Sequence, residues 1–281
     1  MLNKLFQFFF IFLLFSCDNS GILSNLDRIK RVGDNNPKLA ARMLDSIYVD
    51  MDSESKYAKM KYELLKIRLN DKNGISPITS SMAETISKYF TEKGTPKDKQ
   101  EAYFYTGCVY RDLNDTPRAI EFFDNSIEIV YYSKGECDSI LYRDTYSNLF
   151  RMYRNLHDSS TALTIAKKEY ELSDEMRDLS INTIMNVGEA YLDVGNKDES
   201  EKYFDIALET MSQKWHIKDS ESAYSLLGFY SDLGQSAKAA RCLDLIHQRD
   251  IFSLPIFLIQ LSHHINLLYN TQKTDMQSMM P

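Results

Sequence analysis

The chain has 281 residues, 43% of them apolar and 26% charged, with a formal net charge of −7. That length can bury a substantial core, and the acidic balance leaves no cationic excess to neutralise a phosphate backbone, which argues against a nucleic-acid partner. The four cysteines, at spacings of 91, 29 and 105 residues, form no CxxC or other zinc-like pair, so neither a metal nor a cofactor is expected.

The first element is MLNKLFQFFFIFLLFSC, with one cation, Lys4, and an eleven-residue run from Leu5 to Phe15 in which only Gln7 is polar. The run is too short to span a bilayer as a stable helix and has the length of a signal-peptide h-region, so residues 1–16 are expected to be removed. Leu14-Phe15-Ser16-Cys17 resembles the lipobox of bacterial lipoproteins. That resemblance implies lipid attachment at Cys17 and a place in the bacterial cell envelope, facing the periplasm from the outer or inner membrane. The alternative is an ordinary secretory signal followed by a chance cysteine. Residues 17–24 then read as a tether, of which the seven residues from Asp18 to Ser24 reach at most about 25 Å, since an extended residue spans about 3.5 Å.

From residue 25 to about 270 the pattern is helical throughout. Leu23 to Val32 and Pro37 to Ile47 make a first pair of amphipathic stretches, with Ala40, Leu44 and Ile47 on one stripe. Tyr57 to Leu69 and Ile78 to Phe90 make a second pair, broken at NGISP. Strand-like alternation is absent, and ten glycines in the whole chain leave little room for a large β component.

Four near-copies of one hexapeptide follow: YRDLND, YRNLHD, YLDVGN and YSDLGQ, starting at Tyr110, Tyr153, Tyr191 and Tyr230, with separations of 43, 38 and 39 residues. Each tyrosine ends an apolar helical stripe. The fifth letter is Asn114, His157, Gly195 or Gly234, residue types that tolerate the positive φ closing a helix C-terminus. The hexapeptide is therefore a helix stop, and His157 is a helix-closing residue rather than a catalytic base. Five residues later stand Ala119, Ala162, Ser200 and Ala239, each opening a second stripe. Thr116 is the expected N-cap before Pro117.

Thr106-Gly107-Cys108-Val109-Tyr110, then Ala119 and Phe123, resembles the tetratricopeptide repeat (TPR), as does Val187-Gly188-Glu189-Ala190-Tyr191 with Phe204 and Ala207. Phe150 and Leu227 stand where the other two units would carry that glycine. The resemblance implies an all-α, TPR-like α-solenoid of about six helical hairpins plus a terminal helix. Polar joints at 131–138 and 212–219 make the unit longer than the family's own, which extended helices would explain.

No GxSxG, HExxH, Walker or GxGxxG pattern occurs. His263 and His264 are adjacent, so on a helix they point about 100° apart and do not chelate together. A non-catalytic binding protein is expected, with the 18 tyrosines and 15 phenylalanines mostly in core positions. By resemblance, the inner face of each first helix lines a groove for a peptide or protein partner. Asn148 and Asn186, each five residues before a helix-ending tyrosine, correspond to the groove asparagine that holds a bound backbone. Glu101, Asp144, Asn182 and Glu221 stand where some members carry carboxylate-clamp lysines, so capture of a C-terminal carboxylate is not expected. Arg151 and Arg154 either meet an acidic partner or are solvated helix surface. The reading is a lipid-anchored scaffold or sensor resembling the periplasmic halves of membrane-bound regulators. The alternative is an accessory lipoprotein of outer-membrane assembly or of nutrient or glycan uptake.

Counting 39 residues beyond Tyr230 reaches Tyr269, the end of IFLIQLSHHINLLY (256–269), followed by a tail, 271–281. This stretch reads as the first helix of another repeat, apolar on more than one side. It is expected either to pair with another chain or to be the remnant of a longer regulator.

Overall fold

The computed structural model describes residues 19–77, 79–133, 136–213 and 220–249, and the described residues contain α-helices, one 3-10 turn and no strand. The signal-like run, Cys17 and the stretch 256–269 lie outside them. No helix among the described residues is long and apolar enough to cross a membrane.

Twelve α-helices follow one another as six hairpins among these residues. They are α1 (Asn19–Asn35) with α2 (Pro37–Ser46), α3 (Lys56–Lys72) with α4 (Ser81–Lys93), and α5 (Pro96–Asp112) with α6 (Thr116–Tyr132). Then come α7 (Ser139–Asn155) with α8 (Ser159–Glu175), α9 (Ile181–Asp193) with α10 (Lys197–Gln213), and α11 (Ser220–Asp232) with α12 (Ser236–Arg249). The first helix starts at Asn19, inside the segment expected to be a tether, because Ile22 belongs to its buried stripe. Helix extension through the joint 131–138 goes no further than Tyr132, and α7 begins only at Ser139.

The helix stops have the expected conformation. Asn114 and His157 take φ of 60° and 59°, and Gly195 and Gly234 take 82° and 67°. In each, the amide two residues past the last helical turn reaches back to the tyrosine carbonyl, as in Asp115 N to Tyr110 O at 2.9 Å and Asn196 N to Tyr191 O at 2.9 Å. The residue before it donates one turn shorter, as in Asn114 N to Arg111 O at 3.0 Å. This is the Schellman closure, which satisfies carbonyls that the helix end would orphan. Gly74 closes α3 and Arg177 closes α8 in the same way.

The N-cap of α6 is Asp115, not Thr116. The Asp115 carboxylate accepts from Arg118 N, and Thr116 is already the first helical residue. Asp158 and Asn196 cap α8 and α10 likewise. In these three copies the sixth letter of the hexapeptide thus ends one helix and begins the next, which is why Asp or Asn stands there.

Small residues let paired helices approach. Ala40, Ala83, Ala119, Ala162, Ser200 and Ala239 sit in the first turn of the second helix of each hairpin, all buried. A methyl group on Gly107 would come within 2.8 Å of Phe123, and one on Gly188 within 2.8 Å of Phe204. Where Phe150 replaces the glycine, Ala166 replaces the facing phenylalanine, and both are buried in one cluster. Cys108 and Cys242 are buried as small hydrophobes.

The chain divides into two compact units, 1–145 and 146–281, with the division inside α7. In the first, Leu26, Ile29, Leu44, Tyr62 and Leu69 share a core. In the second, Ile184, Phe204, Leu226, Tyr230 and Ile246 do.

Candidate functional site

The first helices of the second unit, α7, α9 and α11, frame a cleft of about 200 Å³. Ser147 and Arg151 come from α7, Asn182, Met185, Asn186 and Glu189 from α9, and Ser222 and Ser225 from α11. The helical spacings 147/151, 182/186/189 and 222/225 put each set on one face of its helix.

Two of the four expected groove residues line this cleft, Arg151 and Asn186. Arg154 does not open onto it, because its guanidinium turns to α9, bonding Glu189 and reaching Asp193 at 2.6 Å. Glu189 is held in place by that pair. Burial pushes its carboxyl above the ordinary glutamate value, against the pull of Arg154. Asn148, one turn before Met152, is 6% exposed and packs inside the unit instead of facing the cleft. The register of the two asparagines is shared, but their surroundings are not.

Beneath Asn186 lies Glu169 of α8, 4% exposed. The Asn186 amide nitrogen donates to Glu169 Oε2 at 3.1 Å, Thr183 Oγ1 donates to Oε1 at 3.4 Å, and the Ser147 hydroxyl donates as well. Burial raises the Glu169 carboxyl above its ordinary value. The hydrogen bonds from Asn186, Ser147 and Thr183 oppose that rise, as does the charge on Arg151. No ion pair to Glu169 occurs among the described residues. On the neighbouring helix, Ser222 donates its hydroxyl to Asn182 Oδ1.

Glu169, Glu189 and the serines were not picked out by sequence. For Glu169 a signal existed: it falls three residues after Ala166 and four before Ser173 on a buried stripe, whereas its sequence neighbours Lys167, Lys168 and Glu171 give the segment the look of a solvated face.

The first helices of the first unit make a different surface. Glu101 of α5 accepts from Lys30 Nζ of α1 at 2.7 Å and from Arg68 Nη1 of α3 at 3.3 Å, with Lys61 Nζ 4.0 Å away. Lys61 also holds Asp98 at 2.8 Å, and Arg68 also holds Asp34. Burial works against Glu101 ionising, yet the three cations outweigh it and hold its carboxyl below the ordinary value. Opposite charges close this face on itself.

No protein-family model matches the chain, and the comparison with curated proteins finds no relative. Solved structures do match. The apo form of RapI superposes with a TM-score of 0.62 at 15% identity, covering 90% of this chain and 72% of that one. The tetratricopeptide repeat sensor protein of the STAND ATPase type from Pyrococcus horikoshii gives 0.60 at 12% identity, covering 86% of this chain and 38% of its own. The TPR-like repeats of a kinesin light chain from Podosopora anserina give 0.54 at 11% identity, over 71% of this chain and all of theirs. The fold is that of tetratricopeptide repeats. In TPR terms, α1, α3, α5, α7, α9 and α11 are the A helices, and the cleft lies on the A-helix face of the second unit.

Proposed function

We propose that the protein is a non-catalytic TPR scaffold or sensor, anchored by lipid at Cys17 in a bacterial envelope, that holds a peptide or protein segment in the cleft between α7, α9 and α11. The observation that carries this reading is the contrast between the two A-helix faces. In the first unit the face is closed by Glu101 and its cations, whereas in the second a cleft of about 200 Å³ offers Arg151, amides and hydroxyls. Arg151 has no ion-pair partner among the described residues, while Arg154 has two. Side-chain amides suit an extended backbone because each offers a donor and an acceptor, and a guanidinium suits a carboxylate.

The test is site-specific photocrosslinking in cells, with the crosslinker at Ser225 on the rim of the cleft or at Glu128 on the second helix of another hairpin. A partner captured from Ser225 alone, and lost when Arg151→Glu and Asn186→Ala are combined, supports the cleft. Equal capture from both positions rejects it. A captured outer-membrane transporter would move the protein to the accessory-lipoprotein reading. The anchor is tested separately, by fatty-acid labelling of wild type and Cys17→Ala; equal labelling removes it.

A further inference from the structure

Glu169 is a buried carboxyl with three neutral donors and no ion pair among the described residues, placed directly under a residue that lines the cleft. The charges near it are few. Arg151 faces it from α7. From α9 the nearest charged group along the helix is Glu189, one turn beyond Asn186 and paired with Arg154, which it shares with Asp193. On α8 itself the residues one turn either side on the same face, Ala166 and Ser173, carry no charge.

The Asn186 amide has two ends with opposite hydrogen-bonding character. With its nitrogen given to Glu169 Oε2, its carbonyl oxygen is left for another partner, and Asn186 is one of the residues that line the cleft. An ionised carboxylate accepts only and therefore requires the nitrogen. A protonated one carries an O–H on one oxygen, which the amide oxygen accepts once the side chain has turned over, while the other oxygen still accepts, so the nitrogen is no longer required. The proton comes from solvent and returns to it, and no other bond is made or broken.

We infer that Glu169 is a proton-controlled switch for the cleft: ionised, it makes Asn186 present an acceptor to a bound segment, and protonated, it frees Asn186 to turn over and present a donor. The inference deepens the cleft reading above by naming its regulation. Acidification thus changes which backbone group of a ligand the cleft matches, and a segment bound through its N–H groups is released as Glu169 takes up a proton. Burial of the carboxyl moves this change above the usual glutamate range, towards mildly acidic conditions.

The experiment needs no ligand. In the full chain, labelled with ¹³C and ¹⁵N, the Glu169 carboxyl carbon and the Asn186 side-chain amide are followed by NMR across pH. The amide resonances are assigned by their loss in Asn186→Ala. The expected result is one common midpoint, above the ordinary glutamate value of 4.5, for Glu169 and for both Asn186 amide protons. In Glu169→Gln the Asn186 amide should become pH-independent. A Glu169 midpoint at or below the ordinary value overturns the inference, as does an Asn186 amide that stays still while Glu169 titrates. Those outcomes are readable from the wild-type chain even if the variant does not fold. If crosslinking at Ser225 fails while the common midpoint is found, the cleft is not the binding site but the switch stands.

Discussion

The ring of Phe204 fills the space that Gly188 leaves by having no side chain, with ring carbons 2.8 Å from where a methyl group would sit. Gly188→Ala should therefore destabilise the second unit by about 1–3 kcal/mol, the usual range for overpacking a core. Gly228 of α11 faces open space within 4 Å, so Gly228→Ala should stabilise by up to about 1 kcal/mol through helix propensity. Thermal unfolding of the two variants should move in opposite directions; a shared direction would refute the packing described.

The Phe150 and Ala166 pair inverts that arrangement. Phe150→Gly alone should cost about 3–5 kcal/mol, as large-to-small core changes do, and Ala166→Phe alone should be overpacked. The double variant rebuilds the neighbouring hairpins' pattern and should recover at least about 1 kcal/mol of the summed loss. A double-mutant cycle by urea denaturation measures this coupling, and additive losses would mean the two side chains do not share space.

Gly195 holds φ of 82° and His157 holds 59° without being glycine. Gly195→Ala should cost about 1–2 kcal/mol, the penalty of the left-handed region for a residue with a Cβ. His157→Gly should be neutral or mildly stabilising. If His157→Gly instead abolishes partner capture without loss of stability, the residue has a binding role beyond closing α7.

Glu101 concentrates the electrostatics of the first unit. Glu101→Gln should destabilise it by about 3 kcal/mol at neutral pH, near the lower end for breaking a buried pair, because Arg68 keeps Asp34 and Lys61 keeps Asp98. The folded-state value of Glu101 is depressed, so its contribution is present above the unfolded value near 4.5 and is lost as pH falls through the lower folded one. Urea midpoints of wild type and variant should converge as pH is lowered below about 4.5. A gap that widens on acidification would contradict the assignment.

Sequence carried the six hairpins, the stops at Asn114, His157, Gly195 and Gly234, and the recurrence of a helix glycine at Gly107 and Gly188, because all of these are local or repeat at a fixed interval. Asn186, chosen by register, and Arg151, chosen as a cation one turn beyond Asn148, lie on a face that has a cleft. Sequence did not carry the difference between Arg151 and Arg154, which depends on Glu189 and Asp193 lying across the helix interface, or the burial of Asn148. It missed Glu169 because a carboxylate on a buried stripe is legible only to a reader who already knows which side of the helix is covered. The N-cap was misplaced by one residue because Thr116 and Asp115 are both good caps, and the backbone turn decides between them.

Because Asp115, Asp158 and Asn196 each complete one helix end and start the next, the corners of these three hairpins contain no spare residue. From Tyr110 to Ala119, Tyr153 to Ala162, Tyr191 to Ser200 and Tyr230 to Ala239 the count never changes, although the repeats themselves differ in length. One residue added at a corner would rotate the second helix by about 100° and swing its buried stripe away from its partner. In these four hairpins length changes are therefore tolerated at the junctions to the next hairpin and not at the corner, which makes those junctions the places to graft a reporter or an epitope without disturbing the folded units.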